Sequence, residues 1–158
     1  YKFISHTDTE VIAQLFEYLY DGNPISTLIK TAEKLEGSYA VAMVVKGYDD
    51  KIFAMKKDSP LIIGKGEKEN YLASDIPAIL PYTKDCYIVN DNEFLEISKD
   101  NIRVFDENRN EKEFKIVLEK FVIAFILAEN LAKKEENNGY IKPSSIRNNM
   151  NKILAKLM

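Results

Sequence analysis

The sequence predicts an α+β domain with mostly antiparallel strands, followed by a helical hairpin. Three observations carry that prediction. The first 37 residues hold two apolar stripes at helical spacing. From Tyr39 the pattern shortens to brief apolar runs punctuated by Gly, Asp and Asn. From Glu119 a strongly apolar helical stretch, a polar break and a second stripe follow. Helices segregated from strands in this order stack as layers.

Each element has its own warrant. Residues 7–20 predict a helix because Val11, Ile12, Leu15, Phe16 and Leu19 share one face. Thr7 and Glu10 fit a capping box, each side chain satisfying a free N–H at the helix start. Asp21-Gly22-Asn23-Pro24 is a break, with Asn23 suited to cap the next helix and Pro24 to its first turn. That helix turns Ile25, Leu28, Ile29, Ala32 and Leu35 inward and stops at Gly37. Residues 39–45 form a nearly continuous apolar run, which predicts a strand covered on both faces. Residues 52–55 are its hairpin partner. Leu61, Ile62 and Ile63 predict a third strand ended by Gly64-Lys65-Gly66, and residues 70–73 a fourth. Ser74 or Asp75 then caps a short helix reaching Ile79. Residues 86–89 and 94–97 flank Asn90-Asp91-Asn92, a turn-type sequence. Residues 102–105 predict another strand, and residues 114–117 one more. Residues 121–131, then a helix opened by Pro143-Ser144-Ser145, make the hairpin. The division expected is a β-rich part over residues 1–117 and a helical appendage over residues 118–158.

Composition excludes several functions. Of 158 residues, 46% are hydrophobic and 30% charged, an ordinary globular balance. A net charge of -3 and a pI near 5.3 give no reason to expect nucleic acid as a partner. Cys86 is the sole cysteine, so no intrachain disulfide forms, which fits a reducing, cytoplasmic setting. No secretory leader is visible, and the longest apolar run falls far short of the roughly 20 residues that span a bilayer. With one histidine and one cysteine, a zinc site of several such ligands is not expected, and no metal or other cofactor is predicted. The chain begins at Tyr1 rather than methionine, which fits processing or a piece of something larger.

Few residues offer chemistry. His6 is the only histidine and sits in an N-terminal strand or loop, and Cys86 sits inside an apolar strand where thiols are inert packing. Gly64-Lys65-Gly66 lacks both the third glycine of a dinucleotide loop and the Gly-Lys-Ser/Thr end of a phosphate loop. The lysines beyond Lys133 read as a solvated face. Asp8 stays open between two roles. An acidic residue in a first helical turn gains about 0.3–1 kcal/mol from the helix dipole and needs no ligand. A fixed carboxylate is also the natural partner of an α-ammonium group.

A resemblance changes that balance. Phe3-Ile4-Ser5-His6-Thr7-Asp8-Thr9-Glu10-Val11-Ile12 is similar to the F-x-S-x-T-D-T-E-V-I segment of the glutaminase domain of the glucosamine-6-phosphate synthase family, the isomerizing glutamine–fructose-6-phosphate aminotransferases. Leu35-Glu36-Gly37-Ser38-Tyr39-Ala40 resembles its L-x-G-x-Y-A. Ser59-Pro60-Leu61-Ile62-Ile63-Gly64 and Glu69-Asn70-Tyr71-Leu72-Ala73-Ser74-Asp75 resemble its S-P-L-x-I-G and E-N-(F/Y)-x-A-S-D. The resemblance covers residues 1–115 and corresponds to the second half of that domain. It implies a portion of an N-terminal-nucleophile hydrolase fold, an αββα sandwich. It implies glutamine hydrolysis at an N-terminal cysteine, with ammonia passed to a sugar-isomerase domain that makes glucosamine 6-phosphate from fructose 6-phosphate. Asp8 falls where the family binds the α-amino group of glutamine; Ser74 and Asp75 are read as structural.

The departures set the expected activity. No cysteine nucleophile, no arginine-containing H-T-R-W-A-T-H-G stretch and no H-N-G oxyanion segment occurs among these 158 residues. Each oxyanion donor lost costs about 10²–10³ in rate, so the chain alone is expected to be inactive, with no catalytic residue of its own. Glutamine and a sugar-isomerase domain are the partners implied. The apolar stretch from Phe121 to Leu127 asks for burial, against bare sheet or between chains of a homo-oligomer. The alternative reading is a non-catalytic scaffold or interaction module.

Overall fold

The structure, a computed structural model, describes residues 3–116 and Asn149. Two helices come first: α1 (Asp8–Leu19) and α2 (Pro24–Ala32). Eight strands and one short helix follow: β1 (Tyr39–Met43), β2 (Lys51–Lys57), β3 (Ile62–Lys65), β4 (Asn70–Ala73), α3 (Ile76–Ile79), β5 (Cys86–Ile88), β6 (Phe94–Ser98), β7 (Ile102–Phe105) and β8 (Glu111–Lys112). Every pairing between these strands is antiparallel. One sheet has the order β1-β2-β6-β7-β8, the other β4-β3-β5.

Alternation along the strands builds the layers. On the first sheet Phe53, Met55, Phe94 and Phe105 face the helices, where they pack with Phe16, Ile25, Leu28 and Ile29. The intervening residues Ala54, Leu95, Ile97, Ile102 and Val104 face the second sheet and meet Leu61, Ile63, Tyr87 and Val89. The far side of the second sheet carries Ile62 and Cys86, covered by Ile79 of α3. The order is therefore helices, sheet, sheet, helix, the arrangement of a portion of an αββα sandwich. Apart from Asn149, the predicted helical hairpin lies outside the described residues.

The helix ends follow local chemistry. Asn23 caps α2 by accepting from the Ser26 N–H at 3.0 Å, and Pro24 opens the helix. Asp21 gathers the Ser26 hydroxyl and the Lys30 ammonium, each at 2.7 Å, which hold its carboxyl far below the usual range. Asp75 caps α3 through the Ala78 N–H at 3.0 Å.

Several expectations are corrected. The helix from Pro24 ends at Ala32, not at Gly37, because Lys34 and Leu35 bond three residues back and tighten the last turn. β1 is not covered on both faces: Ala40 and Ala42 are exposed, since the second sheet does not reach this edge. Gly64 and Lys65 continue β3 instead of ending it. Among the described residues the last strand is Glu111–Lys112, where a turn closed by Asp106 folds it onto β7, and residues 114–116 are not strand.

Candidate functional site

Asp8 is the first residue of α1 and is exposed. The chain enters the helix through Thr7, whose extended backbone suits a cap. The Thr7 side chain nevertheless makes no cap hydrogen bond, so the capping box predicted from Thr7 and Glu10 does not form. Glu10 reaches further back. Its Oε1 accepts from the Ile4 N–H at 2.7 Å, and its Oε2 accepts from the N–H and the hydroxyl of Ser5, each at 2.5 Å. The Gln14 amide also donates to Glu10, at 2.9 Å, and Ser5 Oγ lies 2.9 Å from Thr7 Oγ1. The Ser5 hydroxyl first, then the Ile4 and Ser5 N–H groups, hold the Glu10 carboxyl below its ordinary value.

The two acidic residues of the first turn therefore differ. Glu10 is turned back onto the segment before the helix, while Asp8 Oδ1 has the Thr9 hydroxyl at 3.4 Å as its neighbour. Asp8 presents a carboxylate to solvent at the positive end of a helix. Chemically it can receive a cation. In open solvent a pair of that kind contributes about 0.2–1 kcal/mol; shielded from water, a charged hydrogen bond contributes about 1.5–3 kcal/mol.

The remaining sequence candidates are not brought to Asp8. His6 is exposed in the same entry segment. Cys86 is buried in β5 against Ile62 and Ile79, and burial pushes its thiol up, away from nucleophilic use. Asp75 is a helix cap. Asn70, in the E-N-Y segment, donates to the Ser98 carbonyl at 2.8 Å and ties the second sheet to the β6–β7 turn. A cleft of about 750 Å³ lined by Lys65, Lys68, Glu69, Tyr71, Tyr82 and Asp85 lies elsewhere. Its charges are mixed, and the Tyr71 hydroxyl donates to Glu69.

Glu93 escaped the sequence reading. It is 2% exposed, yet it accepts from the Tyr87 hydroxyl at 2.6 Å, the Asn90 N–H at 2.8 Å and the Lys112 ammonium at 2.5 Å. Its partners come from β5, the following turn and β8, so their meeting is a product of the fold. Asn90-Asp91-Asn92 signals only the turn. Glu93 joins the two sheets and stands apart from Asp8. No group of three or more His, Cys, Asp or Glu suited to a metal occurs among the described residues, nor any helix long and apolar enough to cross a membrane.

No protein-family model matches the chain. Curated relatives do. The chain is 47% identical over 111 residues to the glutamine–fructose-6-phosphate aminotransferase (isomerizing) of Clostridium tetani, covering 70% of this chain and 18% of that protein. To the protein of the same name from Fusobacterium nucleatum it is 46% identical over 119 residues, 75% of this chain and 19% of the relative. To that of Caldanaerobacter subterraneus it is 48% identical over 106 residues, 67% and 17%. The chain thus matches under a fifth of the length of these relatives. By this shared segment, the chain belongs to the glutamine–fructose-6-phosphate aminotransferase family.

Proposed function

We propose that this segment is the second half of a class II glutaminase domain, and that Asp8 receives the α-ammonium group of glutamine. The complete protein would release ammonia from glutamine in the cytoplasm and deliver it to a sugar-isomerase domain for making glucosamine 6-phosphate. The observation that carries the reading is the Asp8 carboxylate, solvent-facing at the start of α1 within a segment 43–48% identical to the aminotransferases. A negative charge fixed on a helix end is suited to an ammonium. The nucleophile and the groups that grip the glutamine carboxylate would come from polypeptide outside these 158 residues. The buried Cys86 is no substitute.

Two experiments test this. The isolated chain is expected to show no glutamine hydrolysis above background; turnover would overturn the half-domain reading. Replacing the matched 111 residues of the Clostridium tetani protein by those of this chain should preserve glutamine-dependent synthesis. Asp8→Asn in that chimera should then raise KM for glutamine about 10- to 100-fold, the cost of a charged hydrogen bond.

A second reading rests on a different observation. Val44 is 70% exposed and Ile52 40% exposed beside the open edge of β1. An uncovered apolar strip favours an interaction module, and a homo-oligomer in particular. A glutamine response dependent on Asp8 separates the first reading from this one.

A further inference from the structure

We propose that Glu10 is a positioning residue for the Asp8 ammonium site: by holding the backbone of Ile4 and Ser5 it fixes the turn into α1 so that Asp8 points outward. The inference rests on the reading of Asp8 given above and goes beyond it by assigning the neighbouring carboxylate. The ligand class is a primary α-ammonium group.

The geometry separates the two first-turn acids by their neighbours. Ile4 is 90% exposed and Phe3 55% exposed, so apolar packing does not hold the entry segment. What holds it is polar: Glu10 accepts from Ile4 N–H, Ser5 N–H and Ser5 Oγ across five and six residues, and Ser5 Oγ also receives the Thr7 N–H at 3.3 Å. Thr7, directly before Asp8, is thereby tied to Ser5 through both its N–H and its hydroxyl. Without Glu10 the Ile4 and Ser5 N–H groups would turn to water, and the Thr7–Asp8 backbone would lose its restraint. An ammonium binder that must order its own loop loses that ordering entropy from its affinity. Gln14, one helical turn further on, braces Glu10 from the helix side.

Length and charge of the side chain can be separated. Glu10→Asp keeps the charge and is one methylene too short to span to Ile4. Glu10→Gln keeps the length and loses the charge. In the chimera with the Clostridium tetani protein, positioning predicts that Glu10→Asp raises KM for glutamine about tenfold with kcat within twofold. The amide protons of Ile4 and Ser5 should move upfield in that variant, while thermal stability is unchanged. Glu10→Gln should sit between Glu10→Asp and the unsubstituted chimera. Wild-type KM in Glu10→Asp with a raised KM in Glu10→Gln would make Glu10 a mere source of negative charge and overturn the inference. Asp8→Asn without effect, or a folded chimera without glutamine-dependent activity, would overturn the Asp8 reading and the inference with it. A raised KM in Asp8→Asn beside a silent Glu10→Asp would remove the inference alone.

Discussion

Glu93 is a buried carboxylate, 2% exposed, on which several groups converge. Removing a buried carboxylate strands the groups that bonded to it, here the Tyr87 hydroxyl and the Asn90 N–H. Glu93→Ala is expected to cost about 3 kcal/mol in urea unfolding. Its pH dependence has a definite sign. Burial alone would raise the Glu93 carboxyl, but Lys112, Tyr87 and Asn90 outweigh it and hold the folded value below the ordinary one. The carboxylate's contribution is then complete above the unfolded value of about 4.3 and fades as pH falls through the lower folded value. The stability gap between the native chain and Glu93→Gln should therefore shrink from pH 6 to pH 3. An equal gap at both pH values would mean that Glu93 is not ionised in the folded chain. At the entrance to α1 the effects are smaller. Thr7→Ala should cost only a few tenths of a kcal/mol, because its side chain makes no cap bond, whereas Thr and Ser caps in general contribute about 1 kcal/mol.

Among the elements, β3 shows why a glycine can be needed inside a strand. A Cβ on Gly64 would stand 2.4 Å from Ile79 Cγ2 and 2.8 Å from Thr83 Cγ2. Ile79 is 1% exposed and has nowhere to retreat, so α3 must lift off the second sheet. Gly64→Ala is expected to destabilise the chain by about 1–3 kcal/mol, the range for overpacked cores, measured as a lower unfolding midpoint. A neutral result would show that α3 does not lie on the sheet. The same residue marks the limit of reading a sequence by local rules. Asn23 and Pro24 announce α2 because capping is settled within four residues, and the helical stripes announce both long helices. Gly64 reads as a terminator because glycine ends strands by default, and the contact that requires it comes from Ile79, fifteen positions later. Glu10 was legible as a cap partner by its spacing from Thr7, but its choice of Ile4 and Ser5 depends on how the entry segment bends back. β8 was missed because two charged residues carry no strand pattern; the turn at Asp106 alone brings them to β7.

At the scale of the molecule, the two sheets do not match in width. Ala54 on β2 is fully buried by the second sheet, while Ala42, its register partner on β1, is exposed. The second sheet therefore stops one strand short of the edge, and the uncovered strip continues through Val44. The edge itself carries no charge or proline from Tyr39 to Met43, in contrast to the two charged residues of β8 at the opposite edge. Uncharged, flat edges recruit further strands. In the half-domain reading, polypeptide outside this segment covers the strip. In its absence the chain should self-associate, so that its mass-average molecular weight in sedimentation rises with concentration. Ala42→Lys places an ammonium on the strip without touching the buried core. It should keep the chain monomeric while leaving thermal stability within about 0.5 kcal/mol, as for exposed substitutions generally. Association unchanged in Ala42→Lys would move the contact away from β1. A native chain that stays monomeric at every concentration would show that the strip is covered from within the same chain.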